Sequence, residues 1–85
     1  MSNRQITLDL HHIYDNGDAI DAALADAIAE AGAIGAKRLE IIHGKGSGQL
    51  KKRVLRFLQQ KEIMQKYRHL KKDQYNHGRT FVYFK

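Results

Sequence analysis

The 85-residue chain contains no cysteine, no proline and no long apolar run. Without cysteine it can form neither a disulfide framework nor a thiolate metal site, which is typical of a reducing compartment and leads us to expect a cytoplasmic protein. Its apolar runs fall far short of the roughly 18 residues of a membrane span. The polar residues 1–5 lack the apolar core of a signal peptide, so we expect no membrane partner.

The length of the chain is sufficient for one small domain, and its charge is divided unevenly. Residues 1–36 contain six acidic residues and one basic residue, whereas residues 37–85 contain fourteen basic and three acidic residues. A basic half of this kind is typical of proteins that bind a polyanion, most often nucleic acid. The alternative is a charged surface that only keeps the protein in solution.

Apolar periodicity predicts a strand, a helix and a second strand in the first half of the chain. Residues 6–11 alternate between apolar and polar side chains, as in a half-buried strand, and residues 39–42 are more continuously apolar. Between them, apolar residues recur at helical spacing over residues 20–31. This order predicts a βαβ unit with parallel strands and a right-handed crossover.

The ends of the first helix are indicated by capping residues. We expect Asp15 or Asp18 to cap its N-terminus, since a short polar side chain can accept a hydrogen bond from the first helical turn. We expect Gly32 and Gly35 to end it. Its buried face should consist of the apolar residues at helical spacing, which are Ile20, Leu24, Ala27, Ile28 and Ala31.

The second half of the chain predicts one more helix and two more strands. A basic amphipathic helix starts at Leu50, and its apolar face consists of Leu50, Val54, Phe57 and Leu58. We expect Ile63 and Met64 to pack beneath the edge of the sheet. Residues 67–71 and 79–84 are interpreted as the third and fourth strands.

A glycine-rich run lies between the second strand and the second helix. Its sequence is His43-Gly44-Lys45-Gly46-Ser47-Gly48. Glycines let the backbone approach a phosphate closely, and the N-terminus of the following helix presents N–H groups and a partial positive charge. The run therefore predicts an anion site. The spacing of its glycines fits neither the P-loop pattern nor the dinucleotide fingerprint.

Three side chains that can perform chemistry are expected at one edge of the sheet. Asp9 and His11 end the first strand and His43 ends the second, and open α/β sheets bind ligands at the edge where parallel strands end. We expect His11 and His43 to transfer protons, with the Asp9 carboxylate orienting the His11 ring. Lys45 and the backbone N–H groups of residues 44–48 would stabilise charge on a reacting phosphodiester.

Each of these residues also has a structural interpretation. His11 could be a polar strand end, Asp9 a loop anchor, and His43 the residue that orients its own loop. A metal site built from these three is an alternative, but no His-x-x-x-His pair supports it, and we predict no metal ligand. The basic residues of the second helix either contact phosphates or solvate the surface; they are Lys51, Lys52, Arg53 and Arg56.

Two motifs of the chain together resemble the Smr (small MutS-related) domain family. They are Leu8-Asp9-Leu10-His11 and His43-Gly44-Lys45-Gly46, and the resemblance covers nearly the whole chain. The family fold is a small α/β sandwich like the C-terminal domain of bacterial translation initiation factor three. In agreement with the order of the predicted elements, we expect a two-layer βαβαββ sandwich with a mixed four-stranded sheet over residues 6–85, preceded by an N-terminal extension of residues 1–5.

The resemblance implies an endonuclease that nicks DNA or cleaves RNA, including mRNA on the ribosome. It places the site at Asp9, His11 and the glycine loop that starts at His43. By this resemblance the partners are DNA or RNA, other domains of a longer protein, or the ribosome. In RNA a 2′-hydroxyl can attack without a cofactor, whereas DNA cleavage needs water and favours a divalent metal. Two alternatives are a non-catalytic module that binds DNA or RNA and a protein-interaction domain.

Overall fold

The computed structural model describes residues 4–13, 15–44, 48–72 and 78–84. In chain order these ranges contain β1 (Gln5–Asp9), a 3₁₀ turn (His11–Ile13), α1 (Gly17–Ile34), β2 (Arg38–Ile42), α2 (Gln49–Leu58), the short α3 (Lys61–Met64), β3 (His69–Lys72) and β4 (Arg79–Tyr83). The predicted βαβαββ order is confirmed, and the 3₁₀ turn and α3 are additions to it. None of these helices is long and apolar enough to cross a membrane.

The four strands form one mixed sheet in the order β1-β2-β4-β3. Strands β1 and β2 are parallel, as the βαβ pattern predicts, and β4 pairs antiparallel with both β2 and β3. In this register Ile42 lies between Asp9 of β1 and Arg79 of β4. One row of residues therefore crosses three strands at the edge where β1 and β2 end.

The helices cover one face of the sheet and form the core with it. Helix α1 buries the residues that its periodicity selects, namely Ile20, Leu24, Ala27, Ile28 and Ala31. The core also includes side chains of the other elements, namely Leu39, Ile41, Val54, Leu58, Ile63 and Val82. The expectation that Met64 packs with Ile63 is wrong, since Met64 is 53% exposed. Consecutive residues of a helix point about 100° apart, so the single turn of α3 buries one of the two.

The N-terminal cap of α1 differs from the prediction, whereas at its C-terminus one of the two predicted glycines, Gly35, is confirmed. Asn16 is the N-cap, not Asp15 or Asp18, and its side-chain oxygen accepts a backbone N–H of the first turn at 3.1 Å. Gly35 is the C-cap and has a φ of 67°, a left-handed conformation that glycine adopts at little cost. Gly32 lies inside the helix. Three neighbouring polar side chains, those of Asp15, Asn16 and Asp18, could cap this helix. The backbone geometry of the turn, and not the residue type, selects Asn16.

The face of the sheet opposite the helices, which we call the open face, is polar and aromatic. Side chains alternate between the two faces along each strand, so this face receives the neighbours of the core residues. On β2, β4 and β3 the main side chains of this face are Arg38, Glu40, His69, Lys71, Arg79, Phe81 and Tyr83. His69 and Lys71 are exposed, and the two aromatic rings of β4 are half-buried.

Candidate functional site

The carboxyl ends of β1 and β2 lie side by side at one edge of the sheet. Asp9 pairs with Ile42 in the parallel register, and the backbone N–H of Leu10 donates to the Ile42 carbonyl at 2.9 Å. His11 and His43 follow directly after these paired ends, so the structure brings the two sequence motifs to the same edge. This edge, which we call the candidate site, is where open α/β sheets bind ligands.

Asp9 contacts the backbone of His11. Its Oδ1 accepts the backbone N–H of His11 at 2.9 Å, and the N–H of Ile13 donates to the Leu10 carbonyl at 3.0 Å. The expectation that the first strand continues through residue 11 is therefore wrong, because this local side-chain bond turns the chain into the 3₁₀ turn. Asp9 and His11 are both exposed, so the His11 side chain is open to solvent at the candidate site.

His43, in contrast to His11, is buried and has only 4% of its surface exposed. Its Nδ1 lies 3.1 Å from the carbonyl oxygen of Gly44, which can only accept, so Nδ1 carries the proton and donates. Its Nε2 lies 2.9 Å from Oγ1 of the fully buried Thr80. In the neutral ring this nitrogen accepts, so the threonine hydroxyl donates to it.

The surroundings of His43 keep its ring neutral. Burial lowers the pKa of His43 below its ordinary value of 6.5; the hydrogen bond to Gly44 opposes this effect, and the Lys51 ammonium adds to it. With both nitrogens hydrogen-bonded inside the protein, the ring holds the chain that follows β2. This geometry favours the interpretation in which His43 orients its own loop over the one in which it transfers protons.

The glycine-rich run is anchored to the start of β4. The backbone N–H groups of His43 and Gly44 both donate to the carbonyl of Gly78, at 2.9 and 3.0 Å. Gly44 and Gly48 have φ values of 78° and 83°, in the region that disfavours side chains. Three residues that we assigned to phosphate binding lie outside the described residues: Lys45, Gly46 and Ser47.

The basic side chains of α2 divide into two groups. Lys51 is half-buried and acts electrostatically on His43. Lys52, Arg53 and Arg56 are exposed and line a groove of about 290 Å³ between α2 and the start of α1. The first group therefore faces the candidate site, and the second forms a cationic groove beside it, which we call the basic groove.

Arg53 bridges the two helices that border the basic groove. Its Nε and Nη2 donate to the two carboxylate oxygens of Asp21, at 3.3 and 3.1 Å. A Cβ atom at position 17 would lie 2.5 Å from Cζ of Arg53, so Gly17 leaves room for the guanidinium. The side chains of the pair are 44% and 43% exposed, so the pair contributes at most about 1 kcal/mol to stability. The guanidinium also remains accessible to an anion.

A metal centre is not preformed in the part of the chain that the structure describes. Within residues 4–13, 15–44, 48–72 and 78–84, no three His, Asp or Glu side chains are grouped so that they could hold a metal ion. Asp9, His11 and His43 therefore share an edge of the sheet without forming a ligand cluster. The imidazole of His11 is exposed, whereas that of His43 is buried.

Sequence reasoning missed two buried polar residues that shape the site. Thr80 was not recognised as the partner of His43, although a polar residue on the same face of β4 as Val82 was an available signal. Glu40 is the second, and it lies within the otherwise apolar part of β2. It is 8% exposed and accepts a hydrogen bond from Nη1 of Arg79 at 2.7 Å. A carboxylate in an apolar run indicates such a partner.

Comparisons with known proteins bear on the family and the fold of this chain. The model of the Smr domain family matches residues 8–85. Among solved structures, the crystal structure of the Smr domain of Thermus thermophilus MutS2 is similar, with a TM-score of 0.74 and 21% sequence identity over 96% of this chain and 98% of that chain. The search of curated proteins found no match. At this identity the structural likeness shows a shared fold.

Proposed function

Since the chain belongs to the Smr domain family, a family of nucleic-acid-binding and nuclease-like domains, we propose that it binds nucleic acid and cleaves its phosphodiester bonds at the candidate site. One observation carries the proposal. The exposed His11 and the glycine run that leads into a basic helix stand at the ends of adjacent parallel strands. This arrangement supports a proton-transfer group and an anion site at one edge of the sheet.

His11 is the proposed proton-transfer residue. Its side chain is exposed, and imidazole changes its charge near neutral pH, so it can take a proton from an attacking hydroxyl or water. Asp9 acts as a positioning residue, since its carboxylate accepts the backbone N–H of His11 at 2.9 Å. This bond fixes the backbone from which the His11 side chain extends. General acid–base catalysis of this kind contributes about 10²–10⁴-fold to the rate.

The glycine run and the start of α2 are the proposed phosphate site. Gly44 and Gly48 have no side chain and have positive φ values, and Gly48 is the N-cap of α2, where the positive end of the helix dipole lies. We assign the reacting phosphate to this run, including Lys45, Gly46 and Ser47, and to Lys51. The basic groove would hold a neighbouring phosphate through Lys52, Arg53 and Arg56.

His43 enters this proposal as the residue that keeps Gly44 in place. Its two ring nitrogens bind the Gly44 carbonyl and the Thr80 hydroxyl. A substitution at His43 should therefore weaken substrate binding and lower the rate without changing the pH at which the rate is half-maximal. A substitution at His11 should remove the ionisation from the pH–rate profile.

The test is cleavage of end-labelled RNA and of supercoiled circular DNA, each with and without a chelator. His12 provides a matched control, because it is an exposed histidine in the same 3₁₀ turn. We expect His11→Ala to lower the cleavage rate about 10²–10⁴-fold and His12→Ala to leave it nearly unchanged. Equal losses in the two variants would contradict the assigned role of His11.

The ends of the products identify the chemistry. A 2′,3′-cyclic phosphate indicates attack by the RNA 2′-hydroxyl, with His11 as the base. Ends with 5′-phosphate and 3′-hydroxyl indicate attack by water, and loss of this activity in chelator indicates a metal that the substrate and protein bind together. If neither nucleic acid is cut at protein excess, the enzymatic part of the proposal is wrong.

A domain that binds nucleic acid without cutting it is the second candidate. The observation that favours it is that the Asp9 carboxylate and both His43 nitrogens are hydrogen-bonded within the protein. This candidate predicts binding that weakens steeply with salt, because each neutralised phosphate of a single strand contributes about −0.7 to the slope of log K against log salt. Substitutions in the basic groove should reduce that slope, and no variant should show cleavage.

A further inference from the structure

The open face of the sheet carries a contiguous cluster of planar side chains. We call it the planar cluster; its members are Arg38, His69, Arg79, Phe81 and Tyr83. The His69 and Tyr83 rings are stacked, with centroids 4.8 Å apart and an interplanar angle of 13°. The guanidinium carbons of Arg38 and Arg79 lie 4.6 and 5.4 Å from the centroid of the Phe81 ring.

The charge of this face is positive, because Arg38, Lys71 and Arg79 outnumber its two carboxylates, Glu40 and Asp9, and Glu40 is neutralised. Glu40 accepts hydrogen bonds from Nη1 of Arg79 at 2.7 Å, from Gln5 at 3.1 Å and from Thr7 at 3.2 Å. Arg38 remains as a second guanidinium, and its Nη1 donates to the Tyr83 hydroxyl at 3.2 Å. The phenol and guanidinium are thus held beside each other on the sheet surface.

The planar cluster extends to a second cationic region at the far end of the strands. There a groove of about 320 Å³ is lined by Arg4, Gln5, Lys37, Arg38 and Tyr83. Arg38 pairs with Tyr83 at this end, and Ile42 pairs with Arg79 at the end that borders the candidate site. The two pairs are four residues apart along the strands. At about 3.3 Å per residue this separation is roughly 13 Å.

We propose that the open face binds a single-stranded segment of nucleic acid, whose bases stack on the planar cluster and whose backbone leads to the candidate site. This inference rests on the proposed function and adds the surface that holds the substrate strand. Every base has a flat π-face, so aromatic and guanidinium planes bind single strands with little sequence preference. RNA-recognition motifs present aromatic rings on a four-stranded sheet in the same way and stack two or three bases.

Charge complementarity selects a polyanion, and the planar groups select a polyanion with bases. An acidic protein segment would satisfy Arg38 and Lys71 by charge alone and would leave the stacked His69 and Tyr83 rings unused. The two occupants therefore differ in one measurable property, which is whether affinity depends on the bases. A strand with the same phosphates and no bases tests this property directly.

The experiment compares the affinities of a fluorescent thymidine oligonucleotide of about eight residues and an abasic strand of equal length, measured by anisotropy. A 2′-O-methyl uridine strand, which cannot undergo attack by its own 2′-oxygen, provides the RNA arm. We expect wild-type protein to prefer the thymidine strand over the abasic strand about tenfold, within the range known for one base stacked on an aromatic ring. An acidic peptide of equal charge should compete no better than the abasic strand.

Three variants on the open face should lose this preference, and one matched variant should keep it. His69→Thr and Tyr83→Thr each remove one ring from an outward-facing strand position, and Arg38→Gln removes one guanidinium. We expect the preference to fall to about threefold or less. Lys61→Gln on α3 removes one exposed charge from the helix layer and should change nothing. Because His69 is an exposed residue of an edge strand, its variant retains the fold, which circular dichroism checks.

The outcomes separate this inference from the proposed function. Equal affinity of wild-type protein for the thymidine and abasic strands overturns the stacking surface, as does a preference that survives both His69→Thr and Tyr83→Thr. Stronger competition by the acidic peptide also overturns it and assigns the face to a protein. Loss of cleavage in His11→Ala tests the proposed function separately. If the protein cleaves nucleic acid but binds the thymidine and abasic strands equally, only the open-face inference is contradicted.

Discussion

Replacing Thr80 by valine tests the internal bond on which the geometry of the candidate site depends. Threonine and valine have almost the same shape, so the substitution removes one hydroxyl without leaving a cavity. Oγ1 of Thr80 lies 2.9 Å from Nε2 of His43, and the two residues are 0% and 4% exposed. The substitution therefore leaves a buried acceptor on His43 with no donor from Thr80.

The expected cost follows from this burial. An unsatisfied buried polar group costs about 1–3 kcal/mol, whereas a domain of this length has a total free energy of unfolding of roughly 4–13 kcal/mol. Each kcal/mol lowers the melting temperature of a small domain by roughly 4–8 °C. We expect Thr80→Val to show this loss in urea unfolding followed by circular dichroism. The rate of nucleic-acid cleavage should fall with it, because the His43 ring, which binds the Gly44 carbonyl, then loses one of its two fixed contacts.

Thr7 provides the matched control, because it is the other threonine of the chain and also lies on a strand. It is exposed, and its partner Glu40 keeps two other donors, so Thr7→Val should change stability by about 0.5 kcal/mol or less. In a His43→Leu background, Thr80→Val should cost nothing further, since both partners of the bond are then apolar. Equal costs of Thr80→Val and Thr7→Val would refute the reasoning.

Three further predictions concern pH and the ends of α1. The folded protein holds the pKa of His43 below 6.5, so between the two pKa values the unfolded chain binds a proton that the native ring does not bind. The free energy of unfolding therefore has its full value above about pH 6.5 and decreases as the pH falls from there toward the pKa of the folded state. Urea unfolding from pH 8 to 5 should show this loss, and His43→Leu should remove part of it. Asn16→Ala should destabilise the protein by about 1 kcal/mol through loss of the N-cap, and Asn16→Asp should not. Gly35→Ala should cost about 1 kcal/mol at its positive φ, whereas Gly17→Ala should displace only the end of Arg53 and cost less than about 0.5 kcal/mol in thermal melts.

Each of these predictions has a result that contradicts it. An identical pH dependence in wild-type protein and His43→Leu would show that the buried imidazole is not the group that titrates. Equal stability of Asn16→Ala and wild-type protein would remove Asn16 as the cap. If Gly17→Ala were as destabilising as Gly35→Ala, the Arg53 guanidinium would be fixed in place, and the basic groove would be more rigid than its exposed ion pair indicates.

The order of the elements and the buried faces of the two main helices were predictable from sequence. Ile20, Leu24 and Ile28 of α1 and Val54 and Leu58 of α2 recur at helical spacing, and all of them are buried. This works because a helix has a fixed period of 3.6 residues, and removal of apolar side chains from water selects one face of it. The meeting of the two motifs at one edge was also predictable, since the βαβ connection requires parallel strands.

The ends of elements were predicted less well, because they depend on single hydrogen bonds. The third strand begins at His69 and ends at Lys72, whereas we expected residues 67–71. β1 stops at Asp9, because its carboxylate binds the N–H of His11. Several conformations of a short polar side chain are locally acceptable, and the tertiary structure selects one of them.

Local pattern therefore determined which residues of this protein form its strands, helices and glycine run, and which strand ends meet. The tertiary structure decided what those residues do there. It buried His43 against Thr80, 37 positions away, and left His11 in solvent, although the two histidines are chemically the same residue. It also placed Arg38 over Phe81 on the open face. Such pairings join residues that are distant along the chain, so they follow from the register of β4 against β2, which no local period encodes.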